Sequence, residues 1–433
     1  MTYRQCANPE PRWFTNARVL QSLAPGLISR DHDTKTGLCT IDFGVATDGT
    51  LTTVGQGAPR IDLDGRLVLP TFIDSHVHLD KSYTVRRTGM PQGGLIDAAR
   101  MAGADAVNWS VDDLRSRMTR SLDRAFQHGT SAMRTHLDTP VMPLESASWQ
   151  VFAELRDEWH GRIELQAVAL MSLERVDQGE NFAERCRQLK ELGGILGAFI
   201  APQSATPERL DAFFHFASEA GLDVDFHVDE TLDPSAQALE LICDSIIRCG
   251  FTGKVVAGHC CSLSTMPTTD RDRIIGKVVQ AGVHVISLPH SNLFLQDRTG
   301  EATPVRRGLT AARELRAAGT SIHFASDNVQ DPFFPYGDYD MLDVFRTAVR
   351  AAHLDFDAGD WLASQFSEAA AACEFNGKGA IVAGEDADLV IFEARDLIDL
   401  LSVSPCERIV LRGRTPLRPA PHTLRDLFAV ELS

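Results

Sequence analysis

The chain has 433 residues, 44% of them hydrophobic, which is ample for one barrel of roughly 250 residues plus a smaller unit. Its formal net charge of −17 opposes binding to nucleic acid or to an acidic membrane face, since both need a basic surface. No run approaches the ~18 consecutive apolar residues of a membrane helix, the first residues lack a charged region followed by an apolar one, and nine scattered cysteines without a CxxC pair argue against a disulfide scaffold or structural zinc module, so a reducing cytoplasm is the simplest setting.

Residues 13–66 read as short strands with turn signals, as in IDFGVATDGTLTTVG. From Val68 onward short apolar runs alternate with amphipathic stretches. Eight strands are predicted: Val68–Asp74, Ser131–Leu137, Ile163–Leu170, Ile195–Ala201, Leu222–Phe226, Val255–Gly258, His284–Leu288 and Ser321–Ala325. Helical patterns lie between most of them, such as VDDLRSRMTRSLDRAFQHG and ERLDAFFHFASEAG, the second with Gly221 as its C-terminal stop. Eight strands alternating with helices predict an α/β fold, a (β/α)8 TIM-type barrel. Residues 378–415 return to short strands. The predicted organisation is therefore a barrel over 67–377 and a small β-sandwich domain built from both chain ends, 1–66 and 378–433. No structure is assigned to Arg418–Ser433.

Four predicted strand ends carry polar groups that a buried wall does not need. The first, in VLPTFIDSHVHLDKS, gives His76 and His78, spaced so that both imidazoles leave a strand on one side. The fifth, LDVDFHVDE, gives His227 and then Glu230. The sixth, VVAGHCC, gives His259, and the eighth, SIHFASDN, gives Asp327 and Asn328. The C-terminal strand ends of a barrel converge on one face. Imidazoles and a carboxylate gathered there suit a divalent Zn2+ or Fe2+ with a position left for water. A single strand-end histidine is usually a hydrogen-bonded core or loop residue; the conjunction of four such ends carries the reading. HExxH is absent, as is the HxE with PCxxC of the cytidine deaminase fold.

This constellation resembles the amidohydrolase superfamily, and within it the cytosine deaminase group. The resemblance spans essentially the whole chain. It is carried by LPTFIDSHVHLDKS, RTHLD, LQAVAL, FHVDE and AGHC, and by the long segments NLFLQDRTGEATPVRRGLT and SDNVQDPFFPYGDYDML. It implies His76, His78, His227 and Asp327 as ligands of one divalent metal ion, Zn2+ or Fe2+. Glu230 is implied as the acid/base that moves a proton to a ring nitrogen, and His259 as the group beside the nucleophilic water, with Asp327 also accepting a proton. No lysine ends the fourth strand, ILGAFIAP, so a bridging carbamylated lysine is not expected. The implied activity is hydrolytic deamination of a small heterocycle, a cytosine- or isocytosine-like base, by a homo-oligomer. One alternative is cleavage of another exocyclic C–N bond, as by the similar N-isopropylammelide isopropylamidohydrolase. Another is a barrel kept for binding alone.

Two positions depart from the cytosine deaminases. Met171 and Ser172 stand where those enzymes carry a glutamine, and Asn328 stands in place of a second aspartate; both change the donor and acceptor pattern offered to a substrate. Lys81, Ser172, Asn328 and His136 are accordingly the candidate substrate contacts. Lys81 also reads as an ion-paired loop residue, and His136 as a packing or supporting residue. Cys260 and Cys261 read as packing. Phe333, Phe334 and Tyr336 read as an apolar lid or as anchors of their loop, and Gln296 and Arg298 as groups that reach a substrate or a neighbouring subunit.

Overall fold

A computed structural model describes residues 4–5, 11–55, 57–201, 203–402 and 407–413. The tail from Arg418, and Cys6 and Cys406, lie outside the described residues. Two compact units emerge. One comprises the described residues within Met1–His32, Leu38–Leu69 and Ile381–Ser433; the other comprises Asp33–Gly37 and Pro70–Ala380.

The larger unit holds eight parallel strands in sequential order: β1 Phe72–Val77, β2 Thr130–Asp138, β3 Glu164–Ser172, β4 Ile195–Phe199, β5 Val224–Val228, β6 Val255–His259, β7 His284–Ser287 and β8 Ile322–Phe324. The seam between β8 and β1 is bridged by a parallel contact of Val77 with Asp327, whose amide donates to the His76 carbonyl at 2.8 Å. The strands are buried on both faces because helices cover the outside and side chains fill the inside. The helix Ala358–Cys373 supplies Ala369, Ala372 and Cys373, which pack with Ile73, Ala132, Val256, Ile286 and Ala325.

The helices begin and end where their sequences specify. Val111–His128 starts at Ser110, whose hydroxyl accepts from the Asp113 amide. It carries Asp112 and Asp113 at the positive end of its dipole and stops at Gly129 with φ 97°. Pro207–Ala220 ends at Gly221 with φ 60°, a left-handed conformation that glycine adopts without Cβ strain.

The smaller unit contains two four-stranded sheets. One orders Leu51–Thr52, Leu38–Val45, Arg12–Leu20 and Arg60–Asp62; the other orders Arg4–Gln5, Arg408–Leu411, Leu389–Phe392 and Val68–Pro70. The second joins strands from both chain ends, and Arg66 pairs with Glu393 at 2.7 Å within the unit. The run predicted as one strand, Val68–Asp74, is thus two. Val68–Pro70 pairs with Leu389–Phe392, and the barrel strand begins only at Phe72. Pro70 has no amide proton to give a ladder, so the run breaks beside it. Among the described residues, no helix is long and apolar enough to cross a membrane. Seven cysteines, Cys39, Cys186, Cys243, Cys249, Cys260, Cys261 and Cys373, are unpaired thiols.

Candidate metal centre

The C-terminal strand ends bring His76, His78, His227 and Asp327 to one point. The register between β1 and β2 slips between Asp74 and Val77, consistent with an extra residue on β1 that turns the strand where its histidines leave it. His227 Nε2 lies 3.1 Å from both His76 Nε2 and His78 Nε2. Asp327 Oδ1 lies 3.2 Å from His78 Nε2 and 3.6 Å from His76 Nε2. Zinc–ligand bonds of about 2.0–2.1 Å set tetrahedral ligand atoms about 3.3–3.4 Å apart, so this spacing fits a single small cation. Burial, aided for His76 and His227 by the neighbouring imidazoles and for His78 by Lys81, pushes all three histidines well below their usual pKa. They are neutral, as ligands must be. Neither Asp327 oxygen has a well-formed hydrogen bond among the described residues, although the carboxylate is wholly buried; burial raises its pKa, with His259 and Ser291 opposing the rise. An unpaired buried carboxylate is costly, and a bound cation removes that cost.

The backbone is strained here. Asp229, His259, Cys260 and Asp327 all have positive φ, between 49° and 73°. Such conformations cost on the order of 1–3 kcal/mol each and persist where surrounding contacts impose them. Asp229 is held by the Ala238 and Leu239 amides at 3.3 and 3.0 Å, and the His259 carbonyl accepts from Thr310 Oγ1. These contacts fix the loops that present Glu230 and His259.

His259 joins the cluster: His76, His227, His259 and Asp327 each offer a ligand atom within 4.8 Å of the others. Its ring is engaged differently, however. Nδ1 lies 3.0 Å from Asn292 Nδ2, which also reaches Glu230 Oε1 at 3.3 Å. An amide nitrogen donates, so Nδ1 accepts and the ring proton sits on Nε2. That Nε2 is buried and finds no hydrogen-bond partner among the described residues. Burial holds the His259 pKa down to about 4, so the ring is neutral and its free N–H is a donor at the site. Glu230 lies 3.4 Å from His259 Nδ1. Burial, with Asp327 adding to it, raises its pKa well above the usual carboxylate range.

Beneath the centre, His136 sits 3.9 Å ring to ring from His76 and 3.1 Å from Asp225 Oδ1, while Arg134 holds Asp225 Oδ2 at 3.1 Å. His76, His136 and Asp225 also form a compact group. The Arg134 charge opposes a second cation there.

The other candidates have local partners. Lys81 is buried, with Nζ 2.7 Å from Asp138 and 3.4 Å from Asp80; burial lowers its pKa but these carboxylates outweigh it, and the net shift is upward. Lys81 Nζ also lies 3.4 Å from His78 Nδ1, beside the metal cluster. The Ser172 hydroxyl donates to Glu174, and Asn328 Nδ2 donates to Asp331 at 2.7 Å. Gln296 donates to the Glu230 carbonyl at 3.2 Å, and Arg298 donates to Pro91 and covers the Phe294 ring. Phe334 stacks on His290 at 4.9 Å, and Tyr336 meets Phe294 and Phe334 edge-on. Two contributors escaped the sequence reading. Asn292 orients His259 and Glu230 together. Gly258 is packed so tightly that an added Cβ would lie 2.9 Å from His76 Cε1. The His76 ring is fully buried and has no room to retreat. Gly258→Ala is expected to cost about 1–3 kcal/mol by overpacking and to weaken metal retention, read by thermal denaturation and metal analysis; wild-type values for both would show slack around the ring.

Residues 145–417 match the Amidohydrolase family. The chain belongs to that family. It is 41% identical over 354 residues, 82% of this chain and 81% of its relative, to a pterin deaminase of Rhizobium rhizogenes strain K84. It is 25% identical over 352 residues, 78% and 83% of the two chains, to N-isopropylammelide isopropyl amidohydrolase of Pseudomonas sp. strain ADP. The fold is shared with 5-methylcytosine deaminase from Klebsiella pneumoniae, with a TM-score of 0.73 at 24% identity over 95% of this chain and 99% of that one. This amidohydrolase thus carries a buried His/Asp cluster of a kind that can hold a metal ion.

Proposed function

We propose that this amidohydrolase removes the exocyclic amino group of a pterin-type substrate as ammonia, with one divalent ion held by His76, His78, His227 and Asp327. The convergence of those four side chains beside Glu230 and His259 supports the chemistry. The 41% identity to a pterin deaminase supports the substrate. Pterins contain the 2-amino-4-oxopyrimidine ring of isocytosine fused to a second ring, so this reading keeps the isocytosine-like half and drops cytosine as the preferred base. When bound, Zn2+ or Fe2+ lowers the pKa of a ligated water to about 7 and so makes a nucleophile at neutral pH. Asp327 accepts the proton released as water adds to the amino-bearing carbon. The Nε2–H of His259 donates to the oxygen that has added. Glu230, protonated because its pKa is raised, donates to the adjacent ring nitrogen; Asp327 then returns its proton to the amino nitrogen as the C–N bond to it breaks, ammonia leaves with the bonding pair, and the hydroxyl formed from water gives its proton to Glu230 as the C=O forms. The product is the corresponding oxo ring.

The test is amine release from pterin, isocytosine, cytosine and N-isopropylammelide by protein loaded separately with Zn2+ and Fe2+. Pterin is expected to give the highest kcat/KM. Preference for cytosine would overturn the substrate assignment, isopropylamine release would favour the alternative C–N bond, and no release from any would overturn the enzymatic reading.

A further inference from the structure

Phe199 is the last residue of β4 and is 45% exposed, although Ala198 before it is fully buried. Its register partners are His227 on β5 and Ser172 on β3. Side chains of in-register parallel residues share a face, and His227 points into the barrel toward His76 and His78. Phe199 therefore stands on the inner face at the mouth, directly beside the metal cluster. Phe213, Phe214 and Phe226 pack ring to ring in the barrel wall, whereas the Phe199 ring meets no other aromatic ring among the described residues. On its other side stands the short Ser172 side chain, which turns to Glu174. A phenylalanine left half in water at the mouth of a polar site forfeits burial energy that a flat apolar ligand restores.

We infer that Phe199 is a specificity-determining residue whose ring stacks on the second ring of a fused bicyclic substrate, and so separates bicyclic from monocyclic heterocycles. This rests on the pterin reading above. The amino-bearing ring must lie at the cluster to react, which places the second ring outward along the mouth, at the level of Phe199. Stacking there is the same in the ground state and the transition state, so it acts on KM and leaves kcat unchanged.

The experiment compares wild type, Phe199→Leu and Phe199→Ala as metal-loaded protein, with kcat and KM for pterin and isocytosine and direct binding by quenching of pterin fluorescence. For Phe199→Ala, the KM and Kd for pterin are expected to rise about tenfold, the worth of one good aromatic contact. The isocytosine kcat/KM is expected to hold, with Phe199→Leu intermediate on pterin. Equal losses on both substrates would make Phe199 a structural residue and overturn the inference. Wild type active on pterin with Phe199→Ala unchanged would overturn it while the pterin reading stands. Wild type that neither binds nor deaminates pterin but deaminates isocytosine would overturn the pterin reading first, and this inference with it.

Discussion

Glu230→Gln is expected to lower kcat by about 10²–10⁴-fold, the usual worth of a positioned acid/base, with metal content unchanged. Glutamine keeps the shape and the contact with Asn292 but has no proton to pass. Glu230 lies 3.4 Å from His259 Nδ1 and 3.3 Å from Asn292, and it is not among the four side chains whose atoms converge on the cation position. Its environment favours the protonated form that can deliver a proton, because burial first and Asp327 second both oppose its ionisation. The assay is ammonia release at saturating substrate beside metal analysis of the same preparation. A kcat within a few-fold of wild type would remove Glu230 from the proton path. Loss of metal along with activity would make it a part of the metal cluster instead.

The barrel was legible because its signal is periodic and local. Parallel strands buried on both faces must be continuous apolar runs, and helices between them must be amphipathic. That logic located all eight strands, and it misread only the first, where one apolar run serves two sheets. The convergence of His76, His78, His227 and Asp327 was legible because strand ends meet at one face whatever the intervening sequence. Lys81, Ser172 and Asn328 were different. Their side chains turn to Asp138, Glu174 and Asp331: the first is brought close by the fold, and the other two stand two and three residues along the chain, where the turn of the loop decides the contact. Asp138 lies on β2. Asn292 stood inside a segment read as distinctive, yet its role depends on reaching His259 and Glu230 across two loops. Phe199 closes an ordinary strand, and only its exposure at the mouth marks it.

His227→Ala is expected to abolish ammonia release and to lower metal affinity by more than about 100-fold, beyond the 10–100-fold typical of losing a supporting residue outside the ligand set. His227 Nε2 is the atom closest to both other imidazoles, at 3.1 Å from each, so its removal opens the cluster on one side. Asp327 would then keep its buried charge with fewer ligands to share a cation. His259→Asn is the informative contrast. His259 lies within the same 4.8 Å group as His76, His227 and Asp327, so distance alone leaves it eligible as a ligand. Its Nδ1 is taken by Asn292, however, and its Nε2 carries the proton, which makes the ring a donor. His259→Asn is therefore expected to lose most turnover while metal affinity stays near wild type. Competition with a metal chelator reads affinity independently of activity. Treatment of wild type with the same chelator should remove ammonia release, and Zn2+ or Fe2+ should restore it. If His259→Asn instead loses metal as completely as His227→Ala, His259 belongs in the ligand set and His78 needs the same measurement. If His227→Ala binds metal like wild type, the four-atom convergence is not the metal site.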